Sequence, residues 1–450
     1  MTFFFTALMV FMLARTFLLR RDFLAPDRVY ILLYSSLLAV YGLGLSRFQH
    51  PWNQWTHFAF WGASACFLGG VLWSRLLFGA ANPGRKLNAI ETTVALQTDA
   101  RSIDWTWFQW VYYACACIFF AAFVYAWMRV GFIPAFAPKP DSARLEFLSS
   151  SEVIEKGWFF GIVALMLLTE IVLYGGLSLR RMAPALATGV AVLFFYLTLL
   201  TRLDLFRLLL FAVVHFHYGR KRLTFRLLLV VGAVAAAIFL AAMLVRVETV
   251  AMETFTQFVK TRIPKQYMVF ANPYAYVVSN FWNLDYAFER YIDGTGYYPR
   301  TYGLDMLKPL LYFLRVELDI GGMLGMDTPY NESIVKVGGL NTVVYPWHFY
   351  KDFGWFGVFG LSLGAGLIAG MVYIRSLCRP TLLMTGVYSV VFGFIMLSFM
   401  SPTWSFWFVY MNLAVYLIAH RKVNSLPAPS VTTTEQLQRD KECSWPRTGG

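Results

Sequence analysis

Charged residues are scarce in this 450-residue chain. Asp, Glu, Lys and Arg make up 14% of it, hydrophobic residues make up 58%, and the mean hydropathy is +0.55. Soluble domains carry about 25% charged and about 45–50% apolar residues. The composition therefore excludes a soluble enzyme, a disordered chain and a coiled coil. It is typical of a protein built from membrane-spanning helices.

Cysteine is also scarce: Cys66, Cys115, Cys117 and Cys378 lie in or beside apolar runs, and Cys443 lies in the C-terminal tail. Their spacing indicates neither a disulfide framework nor a zinc site. The chain lacks a Walker A sequence and a dinucleotide-binding fingerprint, so we expect no cofactor. The acidic pair Glu317 and Asp319 is a weak metal signal, and we expect no metal site.

Eleven apolar runs each predict a transmembrane helix, because a helix pairs all of its backbone N–H and C=O groups internally, as lipid requires. The predicted spans are 2–18, 29–46, 58–78, 105–128, 157–179, 183–200, 203–217, 227–245, 354–374, 380–399 and 403–419. The predicted fold class is therefore an all-α polytopic membrane protein. The first run lacks a basic leader and a small-residue cleavage site, so we interpret it as a retained span.

The net charge of +13 lies mostly in short clusters between apolar runs. Fifteen Lys and Arg residues fall in one set of alternating connections, whereas the short connections of the other set hold Arg47 and Arg202. The positive-inside bias places the first set in the cytoplasm, with the N-terminus outside and the C-terminus inside. This distribution indicates membrane topology and argues against nucleic-acid binding.

The predicted spans divide the chain into four regions. Residues 1–245 hold spans one to eight and a medium outer loop at 129–156, and residues 246–353 form a large outer loop. Residues 354–420 hold the last three spans, and residues 421–450 are a Ser/Thr/Pro-rich cytoplasmic tail that we expect to be disordered. A loop as long as 246–353 is usually functional or carries its own structure.

Aromatic residues and arginines are the candidate binding groups of the outer face. Aromatic faces suit sugar rings, so Tyr274, Tyr291 and Tyr298 are candidates for positioning a glycan; a loop core or an interface belt is the alternative. A guanidinium group binds phosphate bidentately. The candidates for a diphosphate clamp are Arg144, Arg202, Arg207, Arg290 and Arg300. For Arg202, an ion pair with Asp204 is the alternative.

Candidate proton acceptors follow near the end of the large loop. His348 and Asp352 lie four residues apart and share one face if the helix of the next span extends back that far. Glu289 and Asp293 are the other candidates for a catalytic base, and structural packing is the alternative for His348 and Asp352.

Within the spans, Glu170 is an intramembrane carboxylate, which suggests either a functional group or a neutral, hydrogen-bonded one. We expect His215 and His217, at the end of their span, to extend toward the interface.

Four stretches resemble the Wzy-type oligosaccharide repeat-unit (O-antigen) polymerases of bacterial envelopes. They are RVGFIPAF…DSARLEF at 129–147, LLTRLDLFRLLL at 199–210, NPYAYVVSNF at 272–281 and NTVVYPWHFYKDFGWFGVFG at 341–360. The resemblance covers 129–375, a little over half of the chain. It departs from the family at Leu200-Thr201, where a small Gly-Thr or Gly-Ser pair usually precedes the arginine that Arg202 matches.

The resemblance implies a GT-C type, lipid-donor glycosyltransferase of the bacterial inner membrane with a periplasmic active site. Such an enzyme transfers glycan from undecaprenyl diphosphate to the non-reducing end of another lipid-linked repeat unit. The implied partners are that lipid-linked oligosaccharide, membrane lipid and a polysaccharide chain-length regulator. An O-antigen ligase, a lipid-linked oligosaccharide flippase and a structural scaffold are the alternatives.

Overall fold

A computed structural model describes most of the chain. The described residues are 2–18, 22–78, 89–150, 157–199, 202–220, 270–293, 342–378, 380–400 and 407–421, with short pieces at 223–224, 227, 230, 232–233, 262–263, 300–304, 306–307 and 311. The predicted span 227–245 lies mostly outside them. Glu317, Asp319 and all of the tail beyond residue 421 also fall outside.

Most of the described residues are helical, and none of them lies in a strand. In chain order the α-helices are α1 Thr2–Leu18, α2 Pro26–Tyr41, α3 Gln54–Leu77, α4 Ala89–Ser102, α5 Trp105–Val130, α6 Pro140–Ser149, α7 Phe159–Tyr174, α8 Leu179–Thr198, α9 Arg202–Gly219, α10 Ala271–Phe288, α11 Tyr345–Phe356, α12 Ser362–Cys378, α13 Leu382–Leu397 and α14 Trp407–Ala419. A 3₁₀ turn lies at Pro134–Phe136, and π-helical turns lie at Glu289–Asp293 and Gly357–Leu361.

Four helical stretches in the described part are long and apolar enough to cross a membrane: Gln54–Leu77, Trp105–Val130, Leu179–Thr198 and Tyr345–Cys378. Their outward faces carry large apolar side chains such as Trp110, Met128 and Phe194, which are 69%, 77% and 55% exposed. Apolar surfaces of this kind are unfavourable in water and suit lipid. The protein is thus a helical membrane protein.

Local capping explains the bounds of α5. The carboxylate of Asp104 accepts hydrogen bonds from the backbone N–H groups of Thr106 and Trp107, which are among the donors that a helix start leaves unpaired. Gly131 ends the helix with a φ of 77°, a conformation that glycine adopts without a Cβ clash.

The chain divides into two compact units. Unit 1 comprises Met1–Ala81, Thr249–Tyr373 and Phe394–Trp407, and unit 2 comprises Asn82–Glu248, Ile374–Gly393 and Phe408–Gly450. In unit 1, α3 and α12 approach closely because glycines line their contact. A Cβ on Gly366 would overlap the backbone of Phe67, and one on Gly70 would overlap the backbone of α12. Small residues allow such close packing between membrane helices.

Hydroxyl groups also connect the helices of unit 1. Tyr30 of α2 lies 2.8 Å from the Ser64 hydroxyl of α3 and 3.0 Å from the Tyr345 hydroxyl of α11. Tyr34 lies 2.9 Å from the hydroxyl of Ser398. Buried polar groups need such partners. The bond between Tyr30 and Tyr345 holds the start of α11 against α2.

In unit 2, α5, α7 and α8 pack around a core of buried aromatic side chains that includes Phe119 and Tyr196. Gly161 of α7 lies against them, since a Cβ there would stand 2.7 Å from the Phe119 ring. The Tyr112 hydroxyl donates to the backbone oxygen of Ala185 at 2.7 Å and joins α5 to α8.

Candidate functional site

Helix α11 carries two of the predicted proton acceptors. The helix begins at Tyr345, so His348 and Asp352 both lie on it, four residues apart. This is the backward extension of the helix that a shared face requires. The helix geometry is interrupted at Gly354, whose φ of 61° and ψ of −144° belong to a region that is essentially limited to glycine. His348 is half-buried and Asp352 is buried.

A short turn at 300–303 packs against this break. The backbone N–H groups of Thr301 and Tyr302 donate to the carbonyl oxygens of Lys351 and Asp352 at 3.2 and 3.0 Å. The Thr301 hydroxyl donates to the Asp352 carboxylate. Asp352 therefore holds the turn in place, a positioning contact that the sequence did not indicate.

The turn presents Arg300 to an aromatic ring. The Arg300 guanidinium carbon lies 4.0 Å from the centre of the Tyr350 ring, and Nη1 donates to the Tyr350 carbonyl oxygen. A Cβ on Gly354 would stand 3.4 Å from the guanidinium, an ordinary van der Waals contact, so the backbone conformation rather than lack of space requires glycine here. The stacked ring holds the guanidinium in one orientation, and the Arg300 side chain is half-exposed.

Aromatic rings extend from this arginine. Trp347 stacks against both Tyr350 and Tyr291, with ring centres 5.6 and 5.8 Å apart. Phe288 packs against Trp355 at 5.8 Å and Tyr350 at 5.1 Å. These five rings form one packed cluster beside Arg300. Tyr291 is half-buried at its margin, so it belongs to the packed cluster and also presents part of its surface.

The other predicted residues of unit 1 have different surroundings. Tyr274 is buried, accepts the Leu45 N–H at 2.8 Å and donates to Gln49, and burial raises the pKa of its phenol. Its contacts are those of a packing residue. Arg290 is exposed, donates to the Tyr286 hydroxyl at 3.1 Å and lies over the Tyr291 ring at 5.4 Å. The side chain of Asp293 and all of Tyr298 lie outside the described residues.

The remaining predicted arginines belong to unit 2. Arg207 is buried, and its Nη1 donates to Asp204 at 2.9 Å, so the partner considered for Arg202 is bound to Arg207. Arg144 is half-buried on α6. Arg202 begins α9, and its side chain lies outside the described part.

Unit 2 contains a second group of polar residues, the buried group of Glu170, His215, His420 and Tyr416. Glu170 Oε1 lies 3.3 Å from His215 Nε2, and Oε2 lies 3.0 Å from His420 Nε2. Tyr416 donates its hydroxyl to Glu170. The expectation that His215 and His217 extend to the interface is wrong, because they are 0% and 3% exposed within helix packing.

Comparison with protein-family models, curated proteins and solved structures finds no match to this chain.

Proposed function

We propose that this protein is a Wzy-type polymerase that joins lipid-linked oligosaccharide repeat units at the periplasmic face of the bacterial inner membrane. The observation that carries the proposal is the position of Arg300. Its guanidinium stacks on Tyr350 and lies beside Asp352-Phe353-Gly354. Both Tyr350 and this Asp-Phe-Gly sequence belong to the stretch that resembles the end of the family's large loop. Of the surrounding rings, Trp355 and Tyr291 are half-buried and offer apolar faces suited to sugars, whereas Trp347, Phe288 and Tyr350 are buried behind them.

In the proposed reaction, a hydroxyl at the non-reducing end of one repeat unit attacks the anomeric carbon of a second unit. The new bond joins that oxygen to the anomeric carbon, and the bond from carbon to the diphosphate oxygen breaks. Undecaprenyl diphosphate leaves, and a base takes the hydroxyl proton. Arg300 would stabilise the charge that develops on the diphosphate, which needs cations rather than an acid.

His348 is our candidate for the base. It is half-buried on the same helix as Asp352, whereas Asp352 is 1% exposed and engaged by Thr301. Asp352 would then act through the position of the turn. Eleven spans and the outer placement of both loops are also parts of this proposal.

The test is deletion of the gene in its host, with the surface glycan analysed on a gel. Loss of a polymerase leaves core capped by a single repeat, loss of a ligase leaves bare core, and loss of a flippase leaves bare core with carrier-linked units trapped inside. The first pattern supports the proposal. Either of the other two contradicts it and identifies the alternative.

A substitution at Arg300 tests the carrying observation. We expect Arg300→Ala to reduce polymerisation by about 10²–10³-fold, as removal of one charge-stabilising donor does, and to shorten or abolish the ladder. Arg300→Lys keeps the charge but loses the planar stacked donor, so partial recovery is expected. Arg262→Ala, at an exposed arginine of the same predicted loop, is the matched control. A normal ladder in Arg300→Ala at normal protein level would remove Arg300 from the site.

A further inference from the structure

Three metal-binding side chains that are far apart in sequence meet in unit 1. His50 lies in the connection between α2 and α3, Asp285 lies in the last turn of α10, and Glu289 opens the π-helical turn that follows. Asp285 and Glu289 are four residues apart on a helical stretch and therefore point the same way. One ligand atom from each residue lies within 4.8 Å of those of the other two.

The distances suit a bound cation. His50 Nδ1 lies 3.3 Å from Asp285 Oδ2 and 3.1 Å from the Pro51 carbonyl oxygen. A metal ion bound at Nδ1 would take the place of the proton on this nitrogen. Two ligands of a tetrahedral zinc ion, bound at about 2.0–2.2 Å, are about 3.3–3.5 Å from each other. Glu289 is exposed, so rotation of its side chain can bring a carboxylate oxygen to the same separation.

Asp285 is the residue that points to a ligand. Its side chain is 2% exposed, and no lysine or arginine among the residues that the structure describes forms an ion pair with it. The Asn53 backbone N–H donates to Oδ1 at 2.9 Å, and the Asn53 amide donates to the Asp285 carbonyl oxygen at 3.2 Å. Oδ2 is thereby directed toward His50 and Glu289. Orientation of a ligand carboxylate by a neighbouring donor is usual in metal sites.

We propose that His50, Asp285 and Glu289 bind a divalent transition metal, with Zn²⁺ preferred. One imidazole and two carboxylates form a donor set that zinc accepts, while the imidazole disfavours Mg²⁺ and Ca²⁺. Three protein ligands leave a fourth position open, and the exposure of His50 and Glu289 places it at the surface, where water or an anionic oxygen can fill it. This proposal does not depend on the polymerase assignment.

The test is zinc binding by the full-length protein in detergent, after removal of any polyhistidine tag and dialysis against a chelator. We expect about one zinc per chain at this site. Loss of one ligand should weaken binding by at least about 100-fold, since even changes around the ligands cost 10–100-fold. The variants are His50→Gln and Glu289→Gln. Both residues are exposed, so the variants should fold even if Asp285→Asn does not.

Two exposed residues outside the group serve as matched controls. His57→Gln and Glu146→Gln should bind zinc as the wild type does. X-ray absorption then identifies the ligands, because zinc bound to nitrogen and oxygen lies about 2.0–2.2 Å from its ligands, whereas zinc bound to a thiolate lies at about 2.3 Å. The second distance would show that a free cysteine holds the metal.

Three results would overturn the proposal. They are no measurable binding by the wild type at about 100 µM free zinc, wild-type affinity in both His50→Gln and Glu289→Gln, and a thiolate signal in the absorption spectrum. Any of them would leave His50 and Asp285 as an ion pair beside the start of α3, whose positive dipole end favours a carboxylate.

Discussion

Histidines and carboxylates meet twice in this protein, with opposite access to solvent. In the buried group of unit 2, Glu170 and His215 are 0% exposed and His420 is 4% exposed at the side chain. In the group at His50, Asp285 and Glu289 of unit 1, the His50 side chain is 42% exposed, and Glu289 is also exposed.

The difference lies in where each carboxylate finds its partners. Both oxygens of Glu170 face groups of the protein itself, from α9, α14 and the residue after α14. Such a group ties helices together, and its removal leaves buried polar atoms without partners. Asp285 has one oxygen satisfied by Asn53, and the other lies 3.3 Å from Nδ1 of the exposed His50. The same residue types therefore support helix packing in one unit and, as we propose, metal binding in the other.

The largest effect should come from the buried group. We expect Glu170→Ala to lower the free energy of unfolding by about 3–5 kcal/mol, because it removes the carboxyl group that faces Tyr416, His215 and His420, and each buried polar group left unpaired costs about 1–3 kcal/mol. Glu170→Gln should cost less, because its amide oxygen can still accept from Tyr416. Thermal unfolding in detergent measures both. Equal stability of Glu170→Ala and the surface control Glu146→Ala would contradict a packing role for the group.

A smaller effect is expected where backbone conformation, rather than a buried charge, supports the site. Gly354→Ala forces a Cβ into a φ of 61°, which should destabilise unit 1 by about 1–3 kcal/mol. The matched control is Gly364→Ala, where nothing lies within 4 Å of the Cβ. Unchanged stability in both variants would show that the break at Gly354 is not required.

The smallest effect should occur at the surface group without metal. His50→Gln changes an exposed side chain, so the free energy of unfolding of the metal-free protein should change by no more than about 0.5 kcal/mol. With zinc present, the wild type should unfold at a higher temperature than His50→Gln, because a ligand that binds only the folded state stabilises it. A large loss in metal-free His50→Gln would instead make this group structural, like the buried one.

Helices with clear apolar runs and caps were predictable from the sequence. The span predicted at 105–128 corresponds to α5, because Asp104 and Gly131 mark its ends locally. Helix α4 was not predicted, since Ala89–Ser102 has no apolar run of membrane length. The π-helical turns and the break at Gly354 depend on packing around them and left no periodic signal.

The contacts of the candidate sites were harder to predict, because they join distant segments. His348 and Asp352 share a helix and could be paired from their spacing. No local pattern connects Glu170 to His420, or His50 to Asp285, which meet through the packing of separate helices. The hydrogen bond from Thr301 to Asp352 likewise depends on a turn that approaches from elsewhere in the chain.

The interruption at Gly354 also bears on how far from the bilayer centre Arg300 and Asp352 lie. The helical stretch Tyr345–Cys378 has 34 residues, which at 1.5 Å each is about 51 Å, well beyond the hydrocarbon thickness of about 30 Å. The 22 residues of Gly357–Cys378 alone reach about 33 Å and suffice to cross. If Gly357–Cys378 is the part that crosses the bilayer, Arg300 and Asp352 lie level with the phospholipid headgroups, the layer that would hold the diphosphate of the lipid carrier we propose.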